Sequence, residues 1–269
     1  PYFTAPFFVK NIILTIHDII PAVFRKDFGI LKYLYYKIYV QILVFKSNFI
    51  LTDSDYSKKE IIRFFKVKKE KVRRIYLYNF DNSKYINNPI KPSLKNPYFI
   101  YVGNMKKYKN ADVIVDSIVK LRNKGIKVDL ILVGNFRDYN LDFVHIKSNI
   151  SKEELYGLYE HSIALLYPSL CEGFGLPLVE AMSIGIPIIA SNRSSIPEVI
   201  GDAGLLIEPV ESEFMKAMEL ILVDEQLQNK LGEKSFKRKS AFSYKKFKNN
   251  LCKMYATLQE ELNESRNRT

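Results

Sequence analysis

Apolar residues come in short blocks parted by polar turns, and the length and period of each block predict the element it forms. "IILTI" (12–16) reads as a buried strand ending at His17 and Asp18, and "PAVF" follows as a loop. Residues 28–45, "FGILKYLYYKIYVQILVF", have the length of a helix and few charges. That predicts a core helix, with a helix lying at a membrane interface as the alternative. "FILT" (49–52) is a second short strand, Ser57 and Glu60 have the spacing of a capping box ahead of a helix, and "RRIYLY" (73–78) is strand-like. The polar, proline-bearing "NFDNSKYINNPIKPSLKNP" that follows reads as a linker.

Beyond it the alternation becomes regular. "YFIYVG" is a strand ending at Gly103, "NADVIVDSIVKLRNKG" a helix ending at Gly125, "VDLILVG" a strand ending at Gly134, and "VHIK" another strand. A helix over 151–162, a strand over 163–169, a short helix and the strand "IPIIAS" complete the series. Such alternation predicts a parallel sheet with helices on both faces, where ligands bind beyond the carboxyl ends of the strands. Gly103, Gly134 and the loop 169–175 fall at those ends, and no GxGxxG occurs, so an ordinary dinucleotide fold is not indicated.

One block carries chemistry. In "CEGFGLPLVEAMSIGIP" (171–187), Pro177 suits the first turn of a helix, Gly185 its end, and Pro187 prevents its continuation. Glu172 then stands in the loop ahead of the helix and Glu180 about one turn into it. The amides of Gly173, Phe174, Gly175 and Leu176 are expected as free donors at the positive end of the helix dipole, and the glycines let a ligand approach closely. The pattern is an anion site flanked by two acceptors.

Composition bounds the rest. A chain of 269 residues, 47% hydrophobic, can bury a substantial core and suits two compact units better than one. Its two cysteines, Cys171 within the loop and Cys252, argue against a disulfide framework and for a reducing compartment. No apolar run reaches the roughly 18 residues of a membrane span. The opening "PYFTAPFFVKN" has no initial Met and no signal-peptide pattern, which suggests a segment absent upstream. A net charge of +12 favours anionic partners, while the lysine-rich stretches at 66–74 and 232–250 read mainly as solvated helix faces. No nucleic-acid motif accompanies them, so no nucleic-acid partner is expected.

The stretch "YPSLCEGFGLPLVEAMSIGIPIIASNRSSIPEVIGDAGLLIEP" (167–209) resembles the signature of retaining glycosyltransferases of family 4 nearly throughout, including its two glutamates with seven residues between them. "LTIHDIIP" (14–21), "LTDSDYSKKEI" (51–61), "YVGNMKKYKN" (101–110), "NISKEELYGLY" (149–159) and "AFSYKKF" (241–247) are further similarities, in the family's order. The resemblance implies an α/β, GT-B-like fold: a complete C-terminal Rossmann-like domain with a parallel sheet, plus the last part of an N-terminal one. Residues 1–80 would be the end of the acceptor-side domain, 81–97 a linker, 98–240 the nucleotide-sugar domain, and 241–269 a helix packing back towards the N-terminal domain. It implies a hexosyltransferase that retains anomeric configuration, using a UDP-, GDP- or related nucleotide sugar and a glycan, lipid-linked or other acceptor, with no metal and no further cofactor. The alternative is a catalytically incompetent nucleotide-sugar-binding module. The place of action implied is the cytoplasm, with peripheral contact at the inner face of an anionic membrane left open.

On the matching positions, Glu172 would accept hydrogen bonds from donor-sugar hydroxyls and Glu180 from the nucleotide ribose, since an ionised carboxylate offers two acceptor oxygens. The amides of Gly173 to Leu176 would hold sugar and diphosphate. Lys109 matches the lysine that neutralises the diphosphate, a fixed cation where charge grows on the leaving phosphate. After Gly103, Asn104 stands where many members have arginine, which leaves Lys106 or Lys107 to supply a second charge without the guanidinium's fork. His17 matches the histidine that reaches the donor sugar from the N-terminal domain. Lys147, Ser148, Asn149 and Ile150 match the base pocket, Ser148 replacing a common glycine. "DSD" (53–55) superficially resembles a metal-binding DxD of the GT-A architecture and reads here as turn and cap residues.

Overall fold

The computed structural model of the chain describes residues 12–78, 83–87 and 89–267, so the opening stretch 1–11 and the start of the expected linker lie outside the described residues. The chain divides into two compact units, Pro1–Tyr78 with Phe242–Thr269, and Asn79–Ala241.

The first unit is built on a parallel sheet of β1 (Ile12–Thr15), β2 (Ser47–Thr52) and β3 (Val72–Arg74), in that order. Leu14, Ile50 and Val72 point into a core completed by Val40, Leu43, Val44, Ile61 and Phe65. Several elements depart from the sequence expectation. "PAVF" is not a loop: Ile20–Val23 is a short helix, entered where Asp18 Oδ1 accepts from the Ile20 amide at 2.9 Å. The capping side chain of helix Asp55–Phe65 is Ser54, in extended backbone, which accepts from the Ser57 amide at 2.9 Å. Ser57 is already helical there, so the cap lies three residues ahead of the expected box. The strand expected to reach residue 78 stops at Arg74.

The single helix expected over 28–45 is divided. Gly29, at φ +81°, separates Arg25–Phe28 from Ile30–Tyr35, a π-helical stretch Tyr36–Val40 follows, and Gln41–Lys46 returns to α geometry. Only one side of it is core, through Tyr36, Val40, Leu43 and Val44. The C-terminal helix Tyr244–Asn267 belongs to this same unit, where the Tyr78 ring packs on Tyr244 and Phe247 at 5.2 and 4.7 Å, and Arg73 pairs with Glu261 at 2.8 Å.

The second unit carries β4 (Tyr98–Asn104), β5 (Asp129–Asn135), β6 (Val144–Lys147), β7 (Leu165–Tyr167), β8 (Ile188–Ser191) and β9 (Leu205–Ile207). All pair in parallel in the order β6-β5-β4-β7-β8-β9. Strands buried on both faces read as the continuous apolar runs seen in "YFIY" and "LILV". The expected linker is not free of this unit: the Ile90 amide donates to Glu153 O at 3.1 Å, and Tyr85 stacks on Tyr156. Strand order reverses between β4 and β7, and the carboxyl ends at such a switch point leave a crevice.

Candidate active site

The segments that follow β4 and β7 meet at that switch point. After β4, Asn104 Oδ1 accepts from the Lys106 amide at 3.0 Å and starts a tight 3₁₀ turn, Lys107–Lys109. Asn110 ends the turn in the left-handed region at φ +56°, and its side-chain amide donates to the carbonyls of Pro168 and Pro209 at 3.3 and 3.0 Å. The Leu170 amide donates to Tyr108 O at 2.7 Å, so turn and loop are tied along their backbones. The result is an ion pair: Lys109 Nζ donates to Glu172 Oε1 at 2.7 Å and to Oε2 at 3.0 Å. Both groups are largely withdrawn from water, at 15% and 8% side-chain exposure. The rings of Tyr108 and Tyr167 flank the ammonium at 5.5 and 5.9 Å. Burial pushes the hydroxyls of Tyr167 and Tyr101 far up from the ordinary tyrosine range, and the charge of Glu172 pushes them further.

The loop is more closed than the sequence reading expects. Gly173, Phe174 and Gly175 are buried, and of the four residues named as donors Leu176 alone is exposed. What closes it is a group of serines that the sequence reading did not single out. Ser194 Oγ accepts from the Glu172 amide at 2.9 Å, Ser195 Oγ donates to Glu172 O at 3.0 Å, and Ser191 Oγ donates to Ser169 O. Their signal was the run of hydroxyls in "IASNRSSIPEV", at the end of β8 and just beyond it, β8 being the neighbour of β7. Gly175 caps the helix Leu176–Ile184 at φ +102°, a conformation that favours glycine, and a Cβ there would also press on the movable tip of Leu178 at 2.9 Å.

Glu180 lies on that helix, where the Tyr159 hydroxyl donates to its Oε2 at 3.2 Å. Burial raises its pKa, opposed by the Tyr159 bond and the Lys152 charge. Lys147 ends β6, and Ser148, Asn149 and Ile150 follow it on the largely exposed run that leads into helix Lys152–Glu160, the helix bearing Tyr159; Asn149 turns through φ +54°. Gly103 and Asn104 end β4, with Lys106 exposed beside a cleft of about 260 Å³ that it lines together with Lys107.

In the first unit, His17 follows β1 and Asp53 follows β2, and because these strands are parallel neighbours their ends coincide. Asp53, expected only to shape a turn, is buried and accepts from His17 Nδ1 at 2.7 Å. That bond raises the imidazole pKa against the lowering effect of burial. The imidazole is half exposed. Among the described residues, no three of His, Cys, Asp or Glu cluster as a metal site.

The sequence profile described as Glycosyl transferases group 1 matches residues 83–238, more than half of the chain. The chain belongs to that family, and its fold is α/β and GT-B-like. It is 30% identical over 246 residues to O-antigen chain mannosyltransferase B of Escherichia coli, covering 81% of this chain and 62% of that protein. It is 31% identical over 216 residues to O-antigen chain mannosyltransferase RfbU of Salmonella typhimurium, covering 75% and 58%. The chain thus spans about six-tenths of the length of these curated relatives. Among solved structures, Anabaena Alr3699/HepE in complex with UDP-glucose superposes with a TM-score of 0.75 at 16% identity, over 92% of this chain and 72% of that one. Sucrose-phosphate synthase from Thermosynechococcus elongatus does so with a TM-score of 0.74 at 18% identity, over 93% and 68%. At these identities the likeness is one of fold.

Proposed function

We propose that the chain binds a nucleoside diphosphate sugar in its second unit and supports transfer of the hexosyl group to a glycan or lipid-linked acceptor with retention, as in glycosyltransferase family 4. The observation that carries this reading is the buried Lys109–Glu172 pair at the mouth of helix Leu176–Ile184, with Glu180 on the same helix. A donor entering the crevice trades partners with the pair: the sugar hydroxyls donate to Glu172, and the diphosphate takes the ammonium of Lys109. During transfer the bond from anomeric carbon to phosphate oxygen breaks, the acceptor oxygen bonds to the same face, and the acceptor proton leaves with the phosphate. Charge gathers on that phosphate, so a cation held in a site of low polarity stabilises the transition state more than the ground state. The reading needs no metal. His17 is assigned to orienting sugar or acceptor, and mannose is favoured as the sugar because relatives are named as mannosyltransferases. The two cysteines, Cys171 and Cys252, are not joined in a disulfide, which accords with a cytoplasmic place of action.

A second reading, a nucleotide-sugar-binding module without transfer, is favoured by the closed loop, in which Glu172 is already satisfied. Calorimetric titration of GDP-mannose, UDP-glucose and related donors, paired with assays of donor hydrolysis and transfer, separates the two. Glu180→Ala should weaken nucleotide binding at least about tenfold, the loss of hydrogen bonds to a charged group. Lys109→Ala should lower kcat about a hundredfold or more. Undiminished affinity in Glu180→Ala would remove the site assignment, and tight donor binding with neither hydrolysis nor transfer would favour the module.

A further inference from the structure

Two consecutive serines in the turn after β8 give up what their backbone positions favour. Ser194 has φ +55°, in the left-handed region that a Cβ disfavours and that glycine adopts freely. Ser195 is the N-cap of the short helix Ile196–Ile200, a place where a serine hydroxyl ordinarily accepts from an amide of the first turn. Its side chain makes no such bond. Both hydroxyls turn instead to one residue. Ser194 Oγ accepts from the Glu172 amide at 2.9 Å, and Ser195 Oγ donates to the Glu172 carbonyl at 3.0 Å, with a longer bond to the Phe174 carbonyl at 3.4 Å. The main chain of Glu172 is thereby gripped at both its polar groups by side chains 22 and 23 residues further on. The turn that carries the serines is itself anchored. The Asn192 amide donates to Ile207 O at 2.8 Å, and the side chains of Asn192 and Arg193 both bond to Glu208, just beyond β9.

Strained backbone persists where its surroundings hold it, and it gathers at functional sites. Glycine at 194 would suit the backbone better and would release the Glu172 amide; serine suits it worse and holds that amide. We infer that Ser194 and Ser195 are positioning residues for Glu172, fixing the main chain from which its carboxylate reaches the hexosyl group of the donor. With amide and carbonyl fixed, only side-chain rotation is left to the carboxylate, and in this structure the two bonds from Lys109 take that up. Once a diphosphate draws the ammonium away, the serines are the contacts that keep Glu172 in place. They therefore govern recognition of the sugar and leave the nucleotide to Glu180. The inference rests on the functional reading above, in which Glu172 serves the sugar and Glu180 the ribose.

The test is calorimetric titration of the 269-residue chain with GDP-mannose and GDP, and with UDP-glucose and UDP, in the wild type, Ser194→Gly and Ser195→Ala. Within each pair the ligands differ by the hexosyl group alone, so the ratio of their affinities reads the sugar contact. Ser194→Gly should shift that ratio about tenfold against the sugar nucleotide, the equivalent of one hydrogen bond to a charged group, and Ser195→Ala should shift it in the same direction. Glycine relieves the left-handed strain as the hydroxyl bond is lost, so Ser194→Gly should melt close to the wild type. Ser195→Ala supplies the same readout should Ser194→Gly fail to fold. Affinities for sugar nucleotide and diphosphate that fall by one common factor would make the serines structural supports and overturn the inference, as would a ratio unmoved in both variants. A wild type that takes none of the four ligands, or binding indifferent to Glu180→Ala, defeats the functional reading and the inference with it. Binding that depends on Glu180 while its ratio ignores both serines defeats the inference alone.

Discussion

A carboxylate 2.7 Å from Nδ1 decides what the imidazole of His17 can do. Asp53 anchors that nitrogen, which leaves Nε2 as the nitrogen not held by this bond, and it favours the protonated ring enough to outweigh burial. A pKa raised in the folded state means the pair stabilises the protein most below the ordinary histidine value and less as pH rises through the folded one. Asp53→Asn should therefore lower the His17 midpoint in a proton NMR titration. Burial raises the Asp53 pKa as well, so the wild type should lose stability relative to the variant as pH rises through the folded His17 value, the direction in which both raised groups act. A midpoint unmoved by Asp53→Asn would mean that the contact does not hold in solution. Asp53 could not be found from "DSD", whose local grammar describes a turn, whereas Lys109 and Glu172 were visible as parts of separate motifs. Their pairing was not visible, because 63 residues lie between them.

At the level of elements, the helix Leu176–Ile184 shows how burial strains a charged group. It buries Leu178, Val179, Ala181, Met182 and Ser183, so Glu180 is a carboxylate set among largely desolvated neighbours. Its pKa is raised above the ordinary 4.5, so the folded state holds that proton more tightly than the unfolded one. Stability from this group is full below the ordinary value and is lost as pH rises through the folded value. Glutamine copies the protonated form and keeps an acceptor for the Tyr159 hydroxyl. Glu180→Gln should unfold at a higher temperature than the wild type at neutral pH, with the difference closing in acid, while losing nucleotide affinity. Thermal melts across pH read this directly; a variant less stable at neutral pH would show that the ionised carboxylate is not under strain. The limits of this helix were legible because Pro177 and Gly185 act locally. The division of 25–46 was not: an apolar run marks a helix without saying where its turn widens, and the π stretch answers to the core on one side of it.

For the whole molecule, binding that favours the folded second unit must raise its stability in proportion to occupancy. A donor at a hundredfold excess over Kd should add about 2.7 kcal/mol to unfolding of that unit, with slowed amide exchange at 103–110 and 168–184. Unaltered exchange there, with binding measured elsewhere in the chain, would move the site. The alternation of strand and helix in residues 98–191 and the identity of the charged groups at the strand ends were determined by sequence alone. Periodicity, glycine and proline act over a few residues, and a carboxylate is a carboxylate wherever the chain takes it. Only the tertiary structure decided which strands are neighbours, and therefore which ends coincide. The order β6-β5-β4-β7-β8-β9 sets the turn after β4 against the loop after β7, and the order β1-β2-β3 sets His17 against Asp53. Strand order minimises the energy of a whole packed sheet, a quantity that no local window of the chain contains.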